Sequence, residues 1–281
     1  MRALKLLAVV TVCGVVGVFG CDQPLGHYKT MGCTPIGKLA TGCPERYECP
    51  SITAHDNTKC YFNGKTYEIT QQVPDAEVAP FCSTNCYCRS ANPFAKFRCI
   101  HVGCPDFLQR FDHENCLKQY KPNSCCYTGK VCGEDRQKLA TCELEKEIYR
   151  EGQRMYFKEN KCRSCICTAG FNANATDTDP NCFDTPCGFE LFEEKHVYGG
   201  GIPVYKKDRC CPWEWRLPQA SDSIVKGTAG KASTDPLRQC KYGKLTLDVG
   251  DSLNIQQGTA EAQKMTCSCA VPPLVHCVLN N

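Results

Sequence analysis

No stretch beyond the N-terminus of this 281-residue chain approaches the roughly 20 consecutive apolar residues that cross a bilayer. No transmembrane segment is therefore expected in the mature chain. Charge of one sign is lacking too. Lys and Arg total 33 against 30 Asp and Glu, a formal +3, which gives no argument for nucleic acid or an anionic membrane as partner. No segment sustains a helical period. The acidic stretches Asp177-Thr178-Asp179 and residues 248–251 lack the loop pattern of an EF-hand, so solvated turns are expected there. The six histidines (His27, His55, His101, His113, His196 and His276) stand in no recognisable catalytic context, and nucleophilic catalysis needs a base beside its nucleophile. The expectation is a protein that is not an enzyme and needs no cofactor.

What the chain has instead is cysteine, 27 residues in 281. That density belongs to disulfide scaffolds in an oxidising compartment. Arg2 and Lys5 form a basic start, residues 6–19 are mostly apolar, and Val18 and Gly20 are the small residues of a cleavage site before Cys21. Residues 1–20 therefore read as a signal peptide, and the protein as secreted and extracellular. A signal anchor is the alternative, but the apolar run is short. Cleavage removes Cys13 and leaves 26 cysteines, an even number that can pair completely.

The cysteines fall into even groups. Cys21, Cys33, Cys43 and Cys49 occupy a leading segment, 21–59. Ten lie in 60–134, eight in 142–217 and four in 240–281. The two large groups are an imperfect repeat. Each has a lone Cys, a second about twenty residues on, a Cys-x-Cys (Cys86/Cys88, then Cys165/Cys167), a pair four residues apart (Cys99/Cys104, then Cys182/Cys187) and an adjacent Cys-Cys (Cys125-Cys126, then Cys210-Cys211). The last group repeats only the front half, Cys240, Cys267-Ser268-Cys269 and Cys277. Adjacent cysteines rarely bridge each other, so each pair reaches two partners and pins three segments together. A Cys-x-Cys on a strand points both side chains the same way. Units this small bury little apolar surface, so cross-links replace core. The expected fold class is small, disulfide-rich and all-β, with short antiparallel strands and little hydrophobic core.

Tyr61-Phe62-Asn63-Gly64-Lys65-Thr66-Tyr67 is a hairpin signal, since Asn-Gly accepts the positive φ angles of a tight turn. Counterparts are expected around Glu151-Gly152 and Gly250-Asp251. Phe97-Arg98-Cys99-Ile100-His101-Val102 alternates like a strand. Residues 218–239 are rich in Ser, Ala, Gly, Lys, Thr and Asp and read as a flexible linker. The polar loop 170–181 carries Asn174-Ala175-Thr176, which makes Asn174 a glycosylation candidate.

This arrangement resembles the von Willebrand factor type C module of chordin, kielin and similar secreted regulators. The residues that carry the resemblance are Cys82-x₃-Cys86-x-Cys88, Cys99-x₄-Cys104-Pro105 and Cys125-Cys126. In the second unit they are Cys162-x₂-Cys165-x-Cys167, Cys182-x₄-Cys187 and Cys210-Cys211-Pro212. Residues 60–134 then form one module and 142–217 a second, and 240–281 is a front half. The leading segment looks like the tail of another. The resemblance implies the bridges Cys60–Cys88, Cys82–Cys125, Cys86–Cys99, Cys104–Cys126 and Cys116–Cys132 in the first module. In the second it implies Cys142–Cys167, Cys162–Cys210, Cys165–Cys182 and Cys187–Cys211. At the end it implies Cys240–Cys269 and Cys267–Cys277. The second module lacks two cysteines that are partners in the family, so none is orphaned. The leading four allow three pairings, and the choice among them is open.

Zinc is a rival reading at Cys162-x-x-Cys165, but a structural site needs four ligands and would break the repeat's register. The aromatic and branched residues Phe94, Phe97, Ile100, Val102, Trp213 and Trp215 are the candidate ligand-binding set, because uncovered apolar side chains mark partner sites. Cover for their own disulfides is the bland alternative. The expected function is capture of an extracellular protein ligand, a growth factor or a matrix protein. The family's best-known targets are growth factors of the transforming growth factor β class. Two alternatives are a matrix spacer acting through weak multivalent contacts and a serine protease inhibitor presenting Arg163-Ser164 or Arg89-Ser90.

Overall fold

The computed structural model describes residues 21–104, 114–158, 160–207, 209–228, 233–255 and 265–279. The expected signal peptide, residues 1–20, lies outside the described residues. Within them the chain is all-β and rich in disulfides, with short, mainly antiparallel strands, a few one-turn helices and thirteen bridges. No helix among the described residues is long and apolar enough to cross a membrane.

The leading segment holds α1 (Gly26–Thr30), β1 (Thr34–Ile36), β2 (Arg46–Glu48) and α2 (Pro50–Thr53). The first large unit holds β3 (Cys60–Phe62), β4 (Lys65–Tyr67), α3 (Asp75–Val78), β5 (Ser83–Arg89), β6 (Lys96–His101), β7 (Cys116–Gln119), β8 (Gly129–Cys132) and α4 (Asp135–Lys138). The second holds β9 (Thr141–Leu144), β10 (Glu147–Arg150), β11 (Arg154–Tyr156), β12 (Arg163–Ile166), β13 (Cys182–Asp184), α5 (Phe189–Phe192), α6 (Glu194–Tyr198), β14 (Ile202–Lys206) and β15 (Glu214–Arg216). The remainder holds β16 (Ser223–Val225), β17 (Gln239–Tyr242), β18 (Leu245–Asp248), β19 (Ser252–Asn254), β20 (Met265–Ser268) and β21 (His276–Leu279).

One pattern recurs three times. A hairpin carries a cysteine on its first strand, and that cysteine bonds the second sulfur of a Cys-x-Cys strand: Cys60–Cys88, Cys142–Cys167 and Cys240–Cys269. The first sulfur of the Cys-x-Cys bonds the next strand: Cys86–Cys99, Cys165–Cys182 and Cys267–Cys277. In the last two, the bonded residues sit directly opposite in the ladder. The remaining bridges are Cys82–Cys125, Cys104–Cys126, Cys116–Cys132, Cys162–Cys210 and Cys187–Cys211. The leading cysteines, open in the sequence, join as Cys21–Cys43 and Cys33–Cys49. A closure of this kind stabilises by about 2–4 kcal/mol in isolation, chiefly by restricting the unfolded chain.

The first hairpin turns at Asn63 (φ 51°) and Gly64 (φ 72°). Its counterparts lie elsewhere than the sequence suggests. β9 and β10 turn at Glu145 (φ 49°) and Lys146 (φ 69°), and β17 and β18 turn beside Gly243 (φ 55°). Glu151-Gly152 and Gly250-Asp251 only connect a hairpin to the strand after it. Glu145-Lys146 carries no turn-forming residue, so propensity could not find it.

The expected linker, 218–239, is not a free tether along its described length. Its β16 is an edge of a six-stranded sheet ordered β15-β14-β21-β20-β19-β16. Arg216 donates to both oxygens of Asp222, at 2.7 and 2.8 Å, and to the Tyr242 hydroxyl. Lys226 Nζ reaches Asp248 at 3.1 Å and Asp251 at 2.8 Å. Those two carboxylates are buried rather than solvated turns. Hydrogen bonds from the Gln239 amide, Lys226 and the Ser233 N–H hold Asp248 down to about 2. The segment that reads as a tether therefore supplies a cation, Lys226, to two buried acids and a buried acid, Asp222, to Arg216.

The units are also not separate beads. β14 of the second unit pairs in parallel with β21 of the terminal segment, Val204 opposite Cys277. Tyr28, Met31, Cys33 and Cys49 of the leading segment share a buried cluster with Phe189, Val197, Trp215 and Leu274. The Tyr28 hydroxyl donates to the Val271 carbonyl at 2.8 Å and accepts the Leu274 N–H at 2.8 Å. His27 and His276 lie together there, ring centroids 6.5 Å apart. The Tyr205 hydroxyl accepts the His27 backbone N–H and is hydrogen-bonded to His27 Nδ1, both at 2.9 Å. Between the two large units, the backbone N–H of Asn63 donates to buried Glu190 at 2.8 Å. A Cβ on Gly32 would sit 2.5 Å from the Gly64 backbone, so both positions need glycine where the leading segment crosses the first hairpin.

Two expectations follow. Tyr28→Phe leaves the buried Leu274 N–H unpaired and costs about 1–3 kcal/mol in denaturant unfolding. Burial pushes His276 from 6.5 to about 4 and His27 well down, with His276 adding to the latter. The unfolded chain therefore takes up more protons as pH falls from 6.5 towards 4, and stability is lost there. Burial pushes Glu190 the other way, from 4.5 to about 8, so its contribution fades as pH rises across that span. In thermal melts His276→Gln gains on the wild type as pH drops from 6.5 to 4, and Glu190→Gln gains on it as pH rises from 4.5 to 8.

Candidate ligand-binding surface

The six candidate ligand residues separate by burial. Phe97, on the inner face of β6, is only 7% exposed and packs edge-on against Phe62 and Tyr67. Trp215 is 6% exposed, with its ring 5.0 Å from Phe189. Both are largely buried, although Trp215 lines the aromatic groove described below and Phe97 the one beside it. Phe94 is half-buried against His55, away from the grooves described below. Ile100 and Val102 are exposed at the end of β6 and beyond, but line neither groove. Trp213 is 51% exposed. Lys206 lies 3.3 Å over its ring and Arg209 5.4 Å away, two cations that steady the indole without covering it.

Trp213 lines a groove of about 290 Å³ with Phe81, Phe189, Phe192, Pro212 and Trp215. Phe81 comes from the first unit and the rest from the second. Phe192, 46% exposed, also lines a neighbouring groove of about 370 Å³ along β6, where its ring lies 5.5 Å from His101. The aromatic surface therefore runs across the junction of the two units. Its width follows from one bridge. Cys187–Cys211 joins the chain just before Phe189 to the chain just before Trp213. Gly188 sits on the floor, and a Cβ there would come 2.8 Å from Phe81 and 3.1 Å from Phe192. Only a residue without a side chain lets both rings close over it. The Trp215 Nε1–H is buried without an acceptor. Sequence reading missed Phe81 and Phe192. Phe189-x-x-Phe192 has one-turn helical spacing, the signal that was available, but a single turn is too short to register as a period.

Other candidates resolve differently. Arg163-Ser164 lies on β12, the middle strand of a three-stranded sheet, with Ser164 buried and Arg163 paired to Asp184 at 3.0 Å. That is no protruding protease-binding loop. Cys162 and Cys165 bond Cys210 and Cys182, so their sulfurs are spent. The sulfurs of Cys82, Cys104, Cys125 and Cys126 gather within 4.8 Å, but as two bridges they hold no thiolate for a metal. Asn174 is exposed in the loop between β12 and β13, and its backbone N–H caps Asn172. His113 lies outside the described residues.

No family model matches the chain, and no solved structure matches it.

The two tryptophans offer a direct check on the division between core and surface. Trp215→Ala is expected to lower unfolding stability by about 3–5 kcal/mol. Trp213→Ala is expected to change it by less than about 0.5–1 kcal/mol, the scale of an exposed cation–π contact.

Proposed function

We propose that this chain is a secreted binding protein of the type C module kind, capturing an extracellular protein ligand in the aromatic groove at the junction of its two large units. The observation that carries the reading is the pair Phe192 and Trp213, held uncovered on a scaffold braced by the Cys187–Cys211 bridge. Exposed aromatics on a rigid frame lose little side-chain freedom on binding, which is why such residues dominate interfaces. Thirteen bridges and a basic-then-apolar start support secretion, and the threefold recurrence of one bridge pattern supports modular descent. The ligand class is a growth factor of the transforming growth factor β type, the target of the family the cysteine pattern resembles. Masking of its receptor-facing surface would be steric.

Surface plasmon resonance with purified growth factors of that class tests the proposal. The wild-type chain binds at least one. Phe192→Ser with Trp213→Ala weakens it by about 2 kcal/mol or more, a thirtyfold rise in Kd. Absence of binding by the wild type removes the ligand class, and unchanged binding by the double variant removes the groove.

A further inference from the structure

The groove beside Phe192 has a different chemistry from the aromatic one. Arg89, Lys96, Arg98 and His101 line it together with Phe192 and Glu194. Residues 78–105 contain no Asp or Glu, so the β5–β6 hairpin brings no acid of its own. The ladder sets Arg89 directly opposite Lys96, and Arg98 follows Lys96 by two residues. Opposite residues share a face of the sheet, and so do residues two apart. Three fixed positive charges therefore stand on one face, about 5 Å apart across the strands and about 7 Å apart along one.

None of the three has an ion-pair partner among the described residues. The Nε of Arg89 is buried and makes no hydrogen bond. Like charges set directly opposite in a ladder destabilise it. Some other exposed cations are paired with carboxylates, as Lys65 is with Glu77, Lys158 with Glu147 and Arg238 with Glu45, but none of those has a second cation directly opposite it in a ladder. The stripe therefore works against the fold unless an anion occupies it.

We propose that Arg89, Lys96 and Arg98 form a binding site for a sulfated polysaccharide. A single phosphate or carboxylate would engage one or two of the charges, whereas a row at these spacings fits a chain with repeated anionic groups. Guanidinium groups present forked donors to oxyanions. The Phe192 ring, which lines the same groove, offers an apolar face on which the C–H side of a sugar ring can lie. Sulfated polysaccharides are the abundant polyanions outside cells. The inference rests on the extracellular setting proposed above and not on the growth-factor ligand. Because the stripe and the aromatic groove meet at Phe192, a polysaccharide bound here would hold the captured protein close to the matrix.

The test uses the full mature chain and three probes: a heparin oligosaccharide, the same oligosaccharide after desulfation, and poly-glutamate of matching charge. At about 0.15 M salt the heparin oligosaccharide binds and the desulfated one does not. Lys96→Gln with Arg98→Gln weakens binding by about tenfold or more and flattens its dependence on salt, as loss of two ionic contacts requires. Lys206→Gln with Arg209→Gln, beside Trp213, leaves it within about twofold, the change expected if neither cation makes an ionic contact with the chain. Lys96→Gln with Arg98→Gln melts at or above the wild type, since it relieves the opposed charges, and Lys206→Gln with Arg209→Gln melts close to it, since both side chains reach solvent. No heparin binding by the wild type, equal loss in the two double variants, or poly-glutamate binding as tightly as heparin would each overturn the proposal. Binding of a growth factor by Lys96→Gln with Arg98→Gln separates this failure from that of the aromatic groove.

Discussion

Adjacent cysteines impose the constraint on which the rest of this molecule depends. Two neighbouring sulfurs are strained if they bond each other, so Cys125 and Cys126 reach Cys82 and Cys104, while Cys210 and Cys211 reach Cys162 and Cys187. Each pair gathers three chain segments at one point. In the second unit that point is also where the candidate surface begins, because Phe189 and Trp213 each follow a bonded cysteine by two residues. Bridges of this kind act mainly by removing freedom from the unfolded chain. They also hold exposed aromatic side chains where burial alone would have drawn them inward.

A scaffold of small stapled units would ordinarily flex at its joints. Here the joints are closed by polar contacts whose partners come from distant parts of the chain. Tyr28 holds the loop at Val271 and Leu274, Glu190 accepts the Asn63 N–H, and β14 and β21 share one sheet. Each brings a buried polar group that would be costly if left alone. The same closeness brings ionisable groups inside. Burial pushes His27 and His276 down and Glu190 up, so the assembled form prefers them neutral and is weakened towards acid and towards alkali. The aromatic groove and the basic stripe lie on either side of Phe192, at one of these closed joints, which gives them a fixed relation to each other.

Much of the local architecture is written in spacing. The recurrence of a lone Cys, a Cys-x-Cys and a Cys-Cys is visible without coordinates, and so are the all-β character and the Asn63-Gly64 turn. Glu145-Lys146 was invisible, because neither residue favours the left-handed backbone it adopts there. Phe97 and Trp215 looked like exposed aromatics and are largely buried. Alternation shows which residues share a face but not which face another segment covers. Phe192 was overlooked for the opposite reason, since one helical turn leaves no period to read. Residues 218–239 misled through composition: Asp222 and Lys226 look solvated until Arg216, Asp248 and Asp251 are placed beside them.

The chain by itself determined an oxidised, all-β protein built from repeated short units, because the number, parity and spacing of cysteines limit what a small bridged unit can be. Tertiary structure alone decided how the leading segment pairs its four sulfurs, which aromatics stay uncovered, and that the units share buried clusters. Those outcomes depend on contacts between residues as much as 253 positions apart, such as Gln23 with His276. No local pattern encodes such a meeting. It follows from which surfaces remain apolar, or hold unpaired polar groups, once every unit has closed its own bridges.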